Sequence, residues 1–129
     1  APGDDLTHRT LPVFFDVVRL MLQRGVTVIA EAAFQDRLWT PNLEPMSTIA
    51  TLRIVQCHTD PATAWKRIAH RQTSRTAHAD DALLASFESG GAYFDQFHRV
   101  AIAASSIDVD TTDGYDPELT HVVEFVNRP

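Results

Sequence analysis

Three groups of side chains in this sequence have types and spacing that could do chemistry. Arg67, Arg71 and Arg75 recur at every fourth position of "KRIAHRQTSR", so on a helix they share one face. Each guanidinium is a planar fork of donors matched to phosphate oxygens, and three on one face suit a lid over a phosphate chain. A solvated charged face is the plainer alternative, although only Asp80, Asp81 and Glu88 lie nearby to offset the charge. Glu31 interrupts the apolar run "VTVIAEAAF", with Gln35, Asp36 and Arg37 close behind. A carboxylate is costly to bury without a partner, so Glu31 belongs where a strand leaves the core. There it could hold a magnesium-bound water or take a proton from an attacking hydroxyl. The third group is Asp108, Asp110, Thr111, Thr112 and Asp113, and a fourth polar stretch, Cys57-His58-Thr59-Asp60, leads into the arginine helix. Capping and turn formation compete for all of these residues. Asp60 and Asp116, each directly before a proline, read as helix N-caps.

Other chemistries fit poorly. The six histidines are scattered and form no zinc-ligand spacing. Asp108-x-Asp110-x-Thr112 has the spacing of an aspartate-nucleophile phosphatase motif, but too little chain follows for the lysine and second acidic pair. As a calcium loop the same stretch lacks glycine at its sixth position, Asp113, and glutamate at its twelfth, Leu119. Cys57 is expected to be a buried residue near a strand end, with nothing beside it to activate a thiolate.

The elements that must position these residues alternate. Val26–Ala32, Thr51–Cys57 and Ser106–Asp110 are β-branched apolar runs without clean alternation, which suits parallel strands covered on both faces. A helix is predicted from Leu11 to Arg24, with Thr10 as N-cap, Pro12 in the first turn and Gly25 as the stop. Asp60-Pro61 and Asp116-Pro117 each open a further helix, and another is predicted over Asp80–Ser89, ended by Gly90-Gly91. The N-terminus and "TSRTAHAD" read as the mobile segments. The order predicts an α/β domain with a mainly parallel sheet, whose strand ends carry the polar groups to one functional edge.

Bulk properties bound the partners. A chain of 129 residues, 44% hydrophobic, has enough apolar material for one domain. A lone cysteine fits a reducing cytoplasm, and no run is long enough to span a membrane. The net charge of −6 argues against a broad nucleic-acid surface.

Together "GVTVIAEAAFQDRLW", "LRIVQCHTDPATAWKRIAHR" and "VDTTDGYDPELTHVVEFV" resemble the later part of small bacterial P-loop ATP-binding proteins. This kinase-like group includes polynucleotide kinases, zeta toxins and chloramphenicol phosphotransferases. The resemblance runs from about Leu11 to Val126 and is most specific in the closing aspartate-threonine-threonine-aspartate-glycine-tyrosine run. It implies a partial P-loop NTPase-like three-layer αβα fold with a mainly parallel sheet, residues 1–129 forming a single domain equivalent to the C-terminal part of the kinase-like domain. It implies ATP-dependent phosphoryl transfer to a small hydroxyl-bearing acceptor, with ATP and Mg2+ as cofactors. Glu31 then resembles the acidic residue near magnesium and the acceptor hydroxyl, and Arg37 an acceptor-site arginine. Arg67, Arg71 and Arg75 fall at lid positions, and the turn Thr111, Thr112, Asp113, Gly114 and Tyr115 falls where the adenine is flanked.

The family's defining element, G-x-x-x-x-G-K-[ST], is absent, and the sole lysine, Lys66, follows no glycine loop. That element cradles the β- and γ-phosphates and places the magnesium ligand. The chain is therefore expected to correspond to a kinase-like protein without its first third and to be inactive alone; a non-catalytic binding or regulatory module is the alternative. Family sheets are ordered 2-3-1-4-5, so the three runs become the third, fourth and fifth strands, with the absent first strand between Val26–Ala32 and Thr51–Cys57. Direct pairing of those two runs, self-association through the unpaired edges, or residues outside this sequence would fill the gap. In each case Glu31 is expected partly exposed at the carboxyl edge of its strand.

Overall fold

The computed structural model describes residues 2–33, 35–72 and 98–129. It contains α1 (Pro2–Gln23), α2 (Asp36–Leu43), a 3-10 turn (Glu44–Thr48), β1 (Arg53–His58), α3 (Pro61–Gln72), β2 (Ser105–Asp110) and α4 (Leu119–Val126). These residues fall into two compact units: 2–52 with 98–103, and 53–72 with 104–129. The predicted helix Asp80–Ser89, the segment "TSRTAHAD" and Arg75 lie outside the described residues.

In the first unit, α1 spans 22 residues and begins well before the predicted start. Thr10 is therefore not an N-cap, and Pro12 lies inside the helix rather than in its first turn. Proline forfeits one backbone bond there. The predicted stop is where it was expected. Gly25, at φ 75°, donates to Leu22 O at 3.0 Å, and Val26 donates to Met21 O at 3.0 Å. This pair of bonds closes the helix end and needs the left-handed residue that glycine supplies without strain.

The inward side of α1 meets α2. Phe15 and Trp39 pack edge to face with ring centres 4.9 Å apart, and Phe14 lies 5.4 Å from each. Phe15, Trp39, Met46 and Val100 are buried among the described residues of this unit. Val26–Ala32 is not a strand: residues 26–33 carry no ladder bonds, and Ile29 is 97% exposed. Its β-branched composition suits a pleated surface, but a strand needs a partner, and none of the described residues supplies one.

In the second unit, β1 and β2 pair in parallel, with Arg53 opposite Ser105 and His58 opposite Asp110. Alternation places Ile54 and Val109 on opposite faces of this pair, and both are buried. Each face thus buries one apolar residue, while Cys57, His58, Ser105, Ser106 and Asp108 stay exposed, so the covering on both faces that the apolar runs predicted is only partial. The molecule is a mixed helix-and-strand protein with a small parallel sheet. Cys57 is exposed rather than buried, because it lies in the last turn of pleat where β1 leaves the core.

Candidate functional site

The parallel pairing brings the carboxyl ends of β1 and β2 together, and with them two of the sequence-predicted polar groups. His58 O accepts hydrogen bonds from Thr111 N at 2.8 Å and Thr111 Oγ1 at 2.9 Å. Thr112 Oγ1 accepts from Asp60 N at 3.0 Å and lies 3.2 Å from Thr59 Oγ1. Thr112 N donates to Asp110 Oδ1 at 2.8 Å. Arg67, nearly two turns into α3, donates from Nη2 to Thr111 O at 2.7 Å and Thr112 O at 3.1 Å. The β1–α3 loop, α3 and the turn after β2 are thus knitted into one edge.

Beyond those bonds the turn opens outward. Gly114 adopts φ 80°, a conformation strained for any residue with a Cβ. Asp113, Gly114 and Tyr115 are exposed, so the tyrosine ring stands on the surface beside the strand ends. Asp116 does not cap a helix. Its N–H and C=O exchange bonds of 2.9 and 2.8 Å with Asp110, and the peptide to Pro117 is cis. With both backbone groups committed to that bridge, α4 begins later, at Leu119.

Asp60 does cap α3, its Oδ1 accepting from Thr63 N at 2.9 Å. Bonds from Thr63 hold its carboxyl below the ordinary value of 3.8. The hydroxyl and amide of Thr112 lower Asp110 in the same way, helped by His58 and opposed by Asp60. A carboxylate whose folded pKa is depressed stabilises the fold fully above its unfolded pKa, and that stabilisation is lost as pH falls through the folded value. Asp60→Asn keeps an oxygen that can cap. Thermal melts taken from neutral pH to below 3.8 are therefore expected to fall less steeply on the acid side for the variant than for the parent chain. Identical acid limbs would show that the cap is not coupled to folding.

Glu31 and Arg37 belong to the first unit. Glu31 is exposed in the ladder-free segment, not at the edge of a strand, because the strand itself does not form. Arg37 lies exposed in the first turn of α2, with Nη2 3.4 Å from Gln35 Oε1. Asp36 works within the unit: its Oδ1 accepts from Thr40 Oγ1 and, at 2.8 Å, from Ala101 N. Those bonds hold its carboxyl below 3.8. Arg71 is exposed on α3, along the same side as Lys66, Arg67 and His70. Among the described residues no group of three or more His, Cys, Asp or Glu is placed to hold a metal ion, and no helix is long and apolar enough to cross a membrane.

Sequence reasoning missed the Arg67 clamp on the turn and the Arg53 contacts to the last turn of α4, where Nε donates to Phe125 O at 3.1 Å. Partners 44 and 72 residues away leave no local signal. No family model, curated protein or solved structure matches this chain.

Proposed function

We propose that these residues form the nucleotide side of an ATP-dependent, P-loop kinase-like phosphotransferase acting on a small hydroxyl-bearing acceptor. The observation that supports it most is the joined edge at the carboxyl ends of β1 and β2, where ligands of parallel α/β sheets bind. Tyr115 and the Gly114 turn offer an exposed aromatic and open backbone for an adenine. Arg67 braces that turn through two carbonyls, leaving Arg71 and Arg75 as the arginines of the lid. Glu31 would serve as base or ligand to a magnesium-bound water, and Arg37 would orient the acceptor. The three-layer αβα arrangement of P-loop proteins belongs to the same proposal, with a cytoplasmic location.

Such an enzyme needs a loop of backbone amides and a lysine on the β- and γ-phosphates. These 129 residues contain no such loop, so weak binding without turnover is the expected behaviour of this chain. The same lack favours the second reading, a binding or regulatory module built on an α/β scaffold. Amide spectra recorded during titration with adenosine, and then with millimolar magnesium-ATP, test the nucleotide site. Saturable shifts at Thr59, Asp60 and Thr111–Tyr115 are expected for both ligands. A silent turn in a folded chain would remove the nucleotide proposal.

A further inference from the structure

Residues 26–33 run without turn or bend, and from residue 27 onward they make no backbone hydrogen bond among the described residues. A second set of unpaired backbone groups lies on β1. His58 O accepts from Thr111 N, the residue after its register partner Asp110, so His58, Gln56 and Ile54 turn their backbone groups toward β2. Alternation turns the N–H and C=O of Arg53, Val55 and Cys57 to the other edge. None of those groups has a partner among the described residues.

An open strand edge is a template for another strand. Val26–Ala32 has the β-branched composition for it, and Ile29, 97% exposed, has no packing to give up. Charge selects the direction. Laid antiparallel with Glu31 opposite Arg53, the run sets Ile29 opposite Val55, Thr27 opposite Cys57 and Arg24 opposite Asp60, so opposite charges meet at both ends. Laid parallel over the same span, Arg24 would meet Arg53 and Glu31 would meet Asp60, like against like. Arg53 stays a cation while Nε donates to Phe125 O, and Asp60 stays an anion while it caps α3.

We infer that Val26–Ala32 of a second copy of this chain adds antiparallel to the open edge of β1, and that the exchange is reciprocal in a two-fold dimer. Each copy carries both the edge and the strand, so the assembly closes on itself. Thr27, Ile29 and Glu31 supply the hydrogen-bonded partners of Cys57, Val55 and Arg53, and a two-stranded sheet, marginal alone, gains a third strand. The inference does not rest on the phosphotransferase proposal, whose role for Glu31 is open only to the unpaired chain.

Sedimentation equilibrium of the full 129-residue chain is expected to show a monomer–dimer equilibrium. Amide exchange at Val55 and Cys57 should slow as the dimer fills, because those N–H groups gain partners. Ile29→Pro removes the donor opposite Val55 and should weaken the dimer several-fold. Val28→Pro, whose N–H points away from β1 in this register, should leave the dimer close to the parent value. Glu31→Lys sets a cation against Arg53, should also weaken the dimer several-fold, and serves if a proline variant does not fold. Thr27→Cys should give a disulfide-linked dimer through Cys57 under mild oxidation, since hydrogen-bonded pairs lie ~5.5 Å apart at Cα, within disulfide reach. A monomer at every concentration, a dimer that leaves Val55 and Cys57 exchange unchanged, equal effects of the two prolines, or a disulfide closed within one chain would overturn the inference.

Discussion

Phe15→Ala is expected to destabilise the first unit by about 3–5 kcal/mol, the range for deleting a buried aromatic ring. Phe15 is 2% exposed and sits edge to face against both Phe14 and Trp39. Deleting its ring removes apolar burial, leaves a cavity beside the indole, and forfeits two aromatic contacts worth ~0.5–1.5 kcal/mol each beyond their area. Domains are stable by only about 5–15 kcal/mol, so the loss takes much of what is available. Trp39 reports on this cluster directly. Its fluorescence, followed through urea unfolding in a Trp65→Phe background, should show the midpoint fall sharply with little change in slope. Phe15→Leu should recover most of the loss, because it refills most of the volume. A Phe15→Ala penalty below about 1 kcal/mol would mean that the ring is not packed as described.

That cluster shows what the sequence left hidden. The three- and four-residue spacing of Val13, Phe14, Val17, Val18, Met21 and Leu22 identified a helix, but not which apolar side faces inward. Val13 and Val17 turn out more than half exposed, while Phe15, which that spacing passes over, is buried. The inward side is set by Trp39, on a helix that the alternating order implied between the first two runs but that no spacing located. Punctuation read more faithfully where a single residue suffices. Gly25 closes α1 through its own backbone freedom, and Asp60 caps α3 through its own oxygen.

Where two distant segments must agree, local signals fell short. Val26–Ala32 has the composition of a strand and no ladder, whereas β1 and β2, of similar composition, pair in parallel although a long stretch of chain separates them. Asp116-Pro117 has the form of a helix start, yet Asp110 claims both backbone groups of Asp116. For the candidate site the consequence is uneven. Asp60, Arg67, Thr111 and Thr112 are brought together because the parallel pair that carries them forms. Glu31 was placed by a strand that does not form, so its proposed role rests on the resemblance alone.

Phe125→Ala is expected to destabilise the second unit by about 3–5 kcal/mol, more than any change to the polar clip beside it. Phe125 is 7% exposed and is the buried anchor of α4, whose Leu119, Val123 and Val126 are left outward. The same residue's carbonyl accepts from Arg53 Nε at 3.1 Å, and Arg53 Nη2 reaches Arg128 O. The last carbonyls of a helix lack partners within it, and a cation there also meets the negative end of the dipole. Arg53→Met removes this clip while keeping an apolar stem, at a cost of about 1–3 kcal/mol, since water can reach part of what is exposed. Phe125→Ala leaves the backbone carbonyl in place, so the clip survives in that variant. Both changes act on the docking of one helix and should couple by ~0.5–3 kcal/mol in a double-mutant cycle. Unfolding followed by Trp65 fluorescence, in a Trp39→Phe background, measures all three. If Arg53→Met proved the costlier change, α4 would be held by its carbonyl clip rather than by the burial of Phe125, and the outward apolar row would no longer be the secondary face of that helix.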